Sequence, residues 1–411
     1  MIDYGLEINE DKKKLIKKLN TLKETDWNSE YRNKLDGDIK NKFNNIPLKL
    51  SFGSSFPYDD SLDKLKIKLN GVESYPSLAK GGLSNVWGGS ILPYIKEDFK
   101  DWPISLKDLE VYYKYVANKI SVSTFKNDME SYLPIYTANH FFIDNSKQSK
   151  ILSHFFQNNK DALNKEGIFV GNSRLAINQN KIKCLHCGSC LYGCVYSLIY
   201  NSGNELENLN KNKFFKYKKG LLVEKYIEKN NEVITICKNE ENKIIKFISN
   251  RIYIGAGYLS TAKIVLNSYN NDSNKKSTTA IDSQYFFFPA LMQKSSQKVL
   301  NESLHTLAQF FIEINNKKIS EQISHLQIYT FNDLFEKYFK KKFHFLYPII
   351  KRILEKFLYG RIIFVQGYLH SDLSSLASIK IKDLKKDKHL FIKKLENYSS
   401  KKYIKKILSL L

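Results

Sequence analysis

Between Glu10 and about Lys23, Leu15, Ile16, Leu19 and Leu22 recur at helical spacing within a lysine-rich stretch, which predicts an amphipathic helix. Residues 1–6, just before it, read as the end of a strand. Ser105–Asn118 has the same helical spacing, with Ser105 as N-cap and Asp108 in the first turn. Short β-patterned runs at Leu221–Tyr226, Glu232–Cys237 and Ile244–Ile248 predict three strands, and Arg251–Gly255 a fourth. A helix over Ser260–Ser268 follows the Gly255-Ala256-Gly257 turn. Apolar and polar residues alternate over 305–330, and Ile362–Leu369 reads as another strand. Residues 24–75 read as irregular, and a lysine-rich tail regains helical periodicity from about Ser399. There is no internal repeat of fixed period.

With 411 residues, 42% of them apolar, the chain can bury a core for two to three domains or one large composite one. Lys and Arg number 65 against 42 Asp and Glu, a net charge of +23, which raises nucleic acid or an anionic membrane as partners. The charged fraction is an ordinary 26% and aromatics reach 13%, which argues against a disordered basic tail. Tracts such as Asn208–Lys219 spread the Lys/Asn bias along the chain, so the charge reads mainly as background, and no nucleic acid is expected. No apolar run approaches the ~18 residues of a membrane span, and the N-terminus lacks a secretory pattern. Four of the five cysteines fall within residues 184–194, unlike a secreted disulfide framework, so a reducing, cytoplasmic setting is expected.

Three segments carry candidate chemistry. Gly81-Gly82-Leu83-Ser84-Asn85-Val86-Trp87-Gly88-Gly89 is a bare-backbone loop with hydrogen-bonding groups and one flat ring, able to lie against a phosphate or planar cofactor. It reads equally as a surface loop with a core Trp. Gly255-Ala256-Gly257 permits close backbone approach, either between strand and helix or to a ligand. Asp98-Phe99-Lys100-Asp101-Trp102-Pro103-Ile104 leads into the capped helix at 105–118.

In this order the three segments resemble the glucose-methanol-choline family of flavin oxidoreductases. The resemblance implies an α/β fold. It comprises an FAD/NAD(P)-binding Rossmann-like domain, incomplete here, and a substrate domain on a mainly antiparallel β-sheet. The implied FAD-binding domain takes residues 1–124 and 215–275, without its first strand and glycine turn. Residues 125–214 hold the cysteine cluster and part of the substrate domain, and 276–411 the rest of that domain, also incomplete. The implied activity is oxidation of the CH–OH group of a sugar or other alcohol, with hydride passing to FAD. FAD contacts are implied at Asp3 (the adenosine ribose), Gly81, Gly82, Ser84, Asn85, Val223, Gly255, Ala256 and Gly257. Tyr258 and Ala262 depart from the family pattern. The family's C-terminal catalytic His has no counterpart, His370 is a weak substitute, and the chain is expected to be truncated at both ends. An inactive fragment or a piece of a split enzyme is therefore an alternative.

Cys184-x2-Cys187-x2-Cys190-x3-Cys194 has the spacing of a bacterial ferredoxin run, with Val195 where Pro is usual. An iron–sulfur cluster, structural thiols and a zinc site stay open, with Cys237 a distant fourth ligand. Electrons would leave through a cluster if one forms. Otherwise oxygen, a quinone or a protein acceptor stays open. The basic aromatic stretch Phe331–Tyr359, broken by Pro348, reads either as a cover helix or as a peripheral membrane contact. A basic membrane- or nucleic-acid-associated protein is the remaining alternative.

Overall fold

The computed structural model describes residues 1–23, 26–27, 29–36, 49–125, 127–137, 141–269, 276–384, 387–395 and 400–411. In chain order the elements are α1 (Glu10–Asn20), α2 (Ser29–Asp36), α3 (Ser61–Lys64), β1 (Ile67–Asn70) and α4 (Leu106–Ile120). Next come α5 (Lys147–Asn158), α6 (Lys160–Lys165), β2 (Ile168–Asn172), α7 (Ser202–Leu209), β3 (Leu222–Lys229), β4 (Glu232–Lys238), β5 (Ile244–Ser249) and α8 (Tyr258–Ser268). The C-terminal part holds β6 (Ser277–Ala280), β7 (Tyr285–Leu291), β8 (Phe310–Ile314), β9 (Ser324–Thr330), α9 (Asp333–Phe343) and α10 (Tyr347–Leu354). It closes with β10 (Ile362–Tyr368), β11 (Ala377–Leu384), β12 (Asp387–Lys394) and α11 (Ser400–Leu410). The protein is a mixed α/β fold with antiparallel and mixed sheets.

The five-stranded sheet β2-β8-β9-β10-β7 is antiparallel throughout. Period-2 alternation gives it two unlike faces. Leu326 and Ile328 of β9 join Ile312 and Ile314 of β8 and Ile363 and Val365 of β10 in the largest core cluster. Leu152 and Phe156 of α5 and Tyr403, Ile404 and Ile407 of α11 pack against that face. Fully burying each such side chain stabilises the fold by about 1.5–3 kcal/mol.

A second sheet, β1-β12-β11-β6, is mixed: β1 pairs β12 in parallel and the other pairs are antiparallel. The third, β3-β4-β5, is antiparallel, with a bulge between Val223 and Lys225. Helix α8 packs against β3 and β11, and Leu259 and Leu266 share a core with Ile379, Ile381, Leu390, Tyr4, Leu6 and Leu78. The lysine-rich tail thus closes a core that begins near the N-terminus.

Several elements differ from the sequence pattern for identifiable reasons. Residues 1–6 form two isolated parallel bridges, Ile2 to Lys218 and Leu6 to Ala79, rather than a strand ladder. Residues 251–255 leave the sheet altogether, and Tyr253 is 87% exposed, because no described strand pairs with them. The region 24–75 contains α2, α3 and β1. Pro348 starts α10 instead of breaking a helix, since its fixed φ and missing N–H suit a first turn. Among the described residues no helix is long and apolar enough to cross a membrane.

Candidate active site

The glycine-rich loop is anchored at its start by residues 1–6. Leu6 donates its N–H to Leu78, and Lys80 donates to Leu6. Gly81, at φ 82°, lies so close to α7 that a Cβ there would stand 2.6 Å from the Gly203 nitrogen. Asn201 caps α7 by accepting from the Gly203 N–H at 2.7 Å and donates to Asn85 Oδ1 at 3.0 Å. Asn85 donates to the Lys80 and Gly82 carbonyls, and Ser84 Oγ accepts from the Ser202 N–H at 3.0 Å. Ser84 and Asn85 therefore close the loop onto α7. Further along, the Trp87 indole N–H donates to the Tyr200 carbonyl at 2.8 Å.

Of the glycines singled out for FAD, Gly82, Gly255 and Gly257 have open backbone, where a Cβ would meet nothing within 4 Å. Asp3, half-buried, accepts from Tyr217 OH at 2.9 Å, and burial raises its pKa. Val223 sits at the bulge of β3, opposite Cys237. Tyr4, Leu6, Leu78, Leu222 and Leu259, which lie within three residues of Asp3, Gly81, Val223 or Gly257 in sequence, share one core. The bare glycines fit the close approach of a dinucleotide body, while Ser84 and Asn85 serve the loop itself.

The other end of the loop meets the second face of the five-stranded sheet. One register row across that face reads Glu313, His325, Tyr368 and Tyr285; the next reads Phe311, Gln327, Gln366 and Phe287. Glu313, a buried residue, accepts through its carboxylate from His325 Nδ1 at 2.6 Å. That bond fixes the proton on Nδ1 and leaves Nε2 to accept from the Gln327 amide at 3.1 Å. Gln327 Oε1 in turn accepts from Tyr329 OH at 2.8 Å and from Ser90 Oγ at 3.3 Å. Phe311 meets the imidazole edge-on at 4.8 Å, and Tyr368 stacks on it at 5.9 Å. Burial pushes the Tyr329 and Tyr368 phenols up and brings Tyr285 to about 12, so all three stay protonated donors. Loop contact is direct: a Cβ on Gly88 would lie 3.6 Å from Tyr329 OH. Arg174, 3% exposed, donates to the Pro134 carbonyl, and its charge is felt by Glu130 and Glu313.

No protein-family model matches the chain, and no curated protein emerges as its relative. The site therefore rests on its own geometry. Glu313, His325, Gln327 and Tyr329 escaped the sequence reading, although polar residues alternating with Leu326 and Ile328 in one strand were a signal.

His370 lies just beyond β10. Its Nε2 donates to Asp98 Oδ1 at 3.2 Å and its Nδ1 accepts from the Asp372 N–H at 3.1 Å. It ties the Lys96–Phe99 turn to the sheet, which is a structural task. Asp98 raises its pKa against the opposing effect of burial.

The four clustered cysteines pack in a core with Leu19, Trp27 and Tyr196, against the apolar face of α1. Burial brings the Cys187 thiol to about 11 and Cys190 to about 12. Among the described residues no three Cys, His, Asp or Glu side chains converge as metal ligands. Cys237 is buried in β4, in another layer. As placed, Cys190 is a buried thiol and Cys184, Cys187 and Cys194 are half-buried thiols of one core.

Proposed function

We propose that the chain works as a flavin-dependent oxidoreductase of the glucose-methanol-choline type, acting on the CH–OH group of an alcohol or sugar. In this reading a Rossmann-like unit holds FAD along Asp3, Gly82, Val223 and Gly255–Gly257, and the five-stranded sheet belongs to the substrate domain. The single observation behind it is the acid-backed imidazole His325, set on a polar sheet face against the far end of the glycine loop. Bound FAD supplies the hydride acceptor.

The chain's own residues do the rest. Glu313 holds the His325 tautomer, so Nε2 carries the lone pair. A substrate hydroxyl takes the place of the Gln327 amide on Nε2 and gives up its proton there. Tyr329 and Ser90 orient the remaining oxygens through their hydroxyls. The phenols of Tyr368 and Tyr285 line the same face and limit water access.

Titration of the purified chain with FAD tests this reading. Stoichiometric binding with a shifted flavin absorbance band supports it, and absence of binding at saturating FAD overturns it. One observation favours the alternative of a split-enzyme piece: the apolar run 252–254 lies unpaired and its Tyr253 is exposed. In that case FAD would bind only in the presence of a second polypeptide supplying a strand.

A further inference from the structure

Phe345, Ile349, Ile353 and Phe357 recur every four residues along the outer side of the segment 344–359 and are 75%, 72%, 58% and 60% exposed. The inner side of the same segment is fully engaged. Tyr347 and Tyr359 are buried, and Tyr359 and Leu354 pack in a core with Phe331, Phe335 and Phe364. The Tyr347 phenol is held by Glu336 at 2.7 Å. Among the described residues nothing covers the outer row. An apolar row of this size on a surface is a docking feature.

Its surroundings point to the partner. Lys340, Lys341 and Lys342 close α9 just before the row, and Arg352 and Lys356 stand beside Ile353 and Phe357. All five are exposed, and none pairs with a carboxylate among the described residues. The nearby acids Glu336 and Glu355 are occupied by Lys351 at 3.1 and 3.7 Å. The row is a ridge of single side chains interleaved with cations. Such a ridge suits an interface in which bulky side chains sink among acyl chains while cations meet phosphates.

We propose that this ridge binds the surface of an anionic lipid bilayer. Phe345, Ile349, Ile353 and Phe357 enter the acyl boundary, and Lys340–Lys342, Arg352 and Lys356 contact the headgroups. The proposal stands apart from the flavin reading, because neither FAD nor His325 enters it.

Co-sedimentation of the full chain tests it, using vesicles of phosphatidylcholine alone and of phosphatidylcholine mixed with phosphatidylglycerol. Binding is expected to the mixed vesicles and to weaken with salt. The double variant Ile349→Ser/Ile353→Ser should lose about tenfold or more in affinity, with an unchanged circular dichroism spectrum. Each of Arg352→Gln and Lys356→Gln should lose about fivefold. Four results overturn the proposal. One is no binding to anionic vesicles at low salt, and another is binding that ignores the Ile double variant. The third is a shift of the wild type from dimer to monomer on that substitution, which makes the ridge a contact between copies. Retention of duplex DNA that depends on Arg352 and Lys356 alone, without vesicle binding, likewise overturns it in favour of nucleic acid.

Discussion

Glu313 and His325 face each other across the β8–β9 register and meet at 2.6 Å, the carboxylate side chain 4% exposed and the imidazole 18%. A carboxyl group this deep needs hydrogen bonds to offset its lost hydration. The imidazole supplies one, and the nearby Arg174 guanidinium adds charge compensation. A pair of this kind orients one nitrogen and leaves the other available for proton transfer.

Glu313→Gln tests that role. The amide keeps the shape but removes the charge and no longer fixes the proton on Nδ1. The expected loss is roughly 10²–10⁴-fold in kcat, with KM little changed. Steady-state kinetics with an alcohol or sugar donor measure it, beside a thermal melt to show that the fold survives. An unchanged kcat would remove His325 as the proton acceptor.

The two faces of β9 should respond differently to truncation. Leu326 is fully buried in the main core, so Leu326→Ala should cost about 2–5 kcal/mol in urea unfolding. Tyr329→Phe removes only a hydroxyl that donates to Gln327, and should cost about 1 kcal/mol. Turnover should reverse the order, with Tyr329→Phe the more damaging to folded protein. A Tyr329→Phe variant with full activity would take the phenol out of the site.

Local signals were legible in the sequence, and registered contacts were not. The start of α4 was readable because Ser105 and Asp108 satisfy each other within one turn; Asp108 Oδ2 accepts from the Ser105 N–H at 2.8 Å. The meander β3–β5 was readable from patterned runs divided by short turns. The Glu313–His325 pair was not, because it depends on which residues of β8 and β9 fall opposite one another. Residues 251–255 have a strand's composition, yet a strand also requires a neighbour. Ser84 and Asn85 looked like ligand contacts because nothing local revealed that α7 would claim them.

Two adjacent glycines separate packing from ligand contact. At Gly81 an added methyl would collide with the Gly203 backbone and strain a positive φ. Gly81→Ala should therefore loosen the loop from α7 and destabilise the protein by about 1–3 kcal/mol. Gly82, at φ 56°, has no neighbour within 4 Å of the built Cβ, so an alanine there meets only the left-handed backbone strain of about 1 kcal/mol and no collision. Gly82→Ala should melt within a few degrees of wild type while losing FAD affinity, as measured by flavin fluorescence titration. Equal FAD affinity in wild type and Gly82→Ala would move the cofactor away from this part of the loop.

Two histidines should shape the pH dependence of stability in opposite directions. His370, beside Asp98, has a folded pKa above its ordinary value. Its contribution is fully present below about pH 6.5 and is lost as pH rises through the folded pKa. It amounts to at most about 1 kcal/mol for a partly exposed pair. His305 is 1% exposed, and burial lowers it to about 3. Unfolding lets it take up a proton below about pH 6.5, so stability falls as the solution is acidified, by roughly 2 kcal/mol between pH 6.5 and pH 5. Urea unfolding from about pH 5 to about pH 8 should show both slopes. His370→Gln should flatten only the alkaline side, and His305→Gln only the acid side. An alkaline slope that survives in His370→Gln would show that the Asp98 contact contributes nothing to folding.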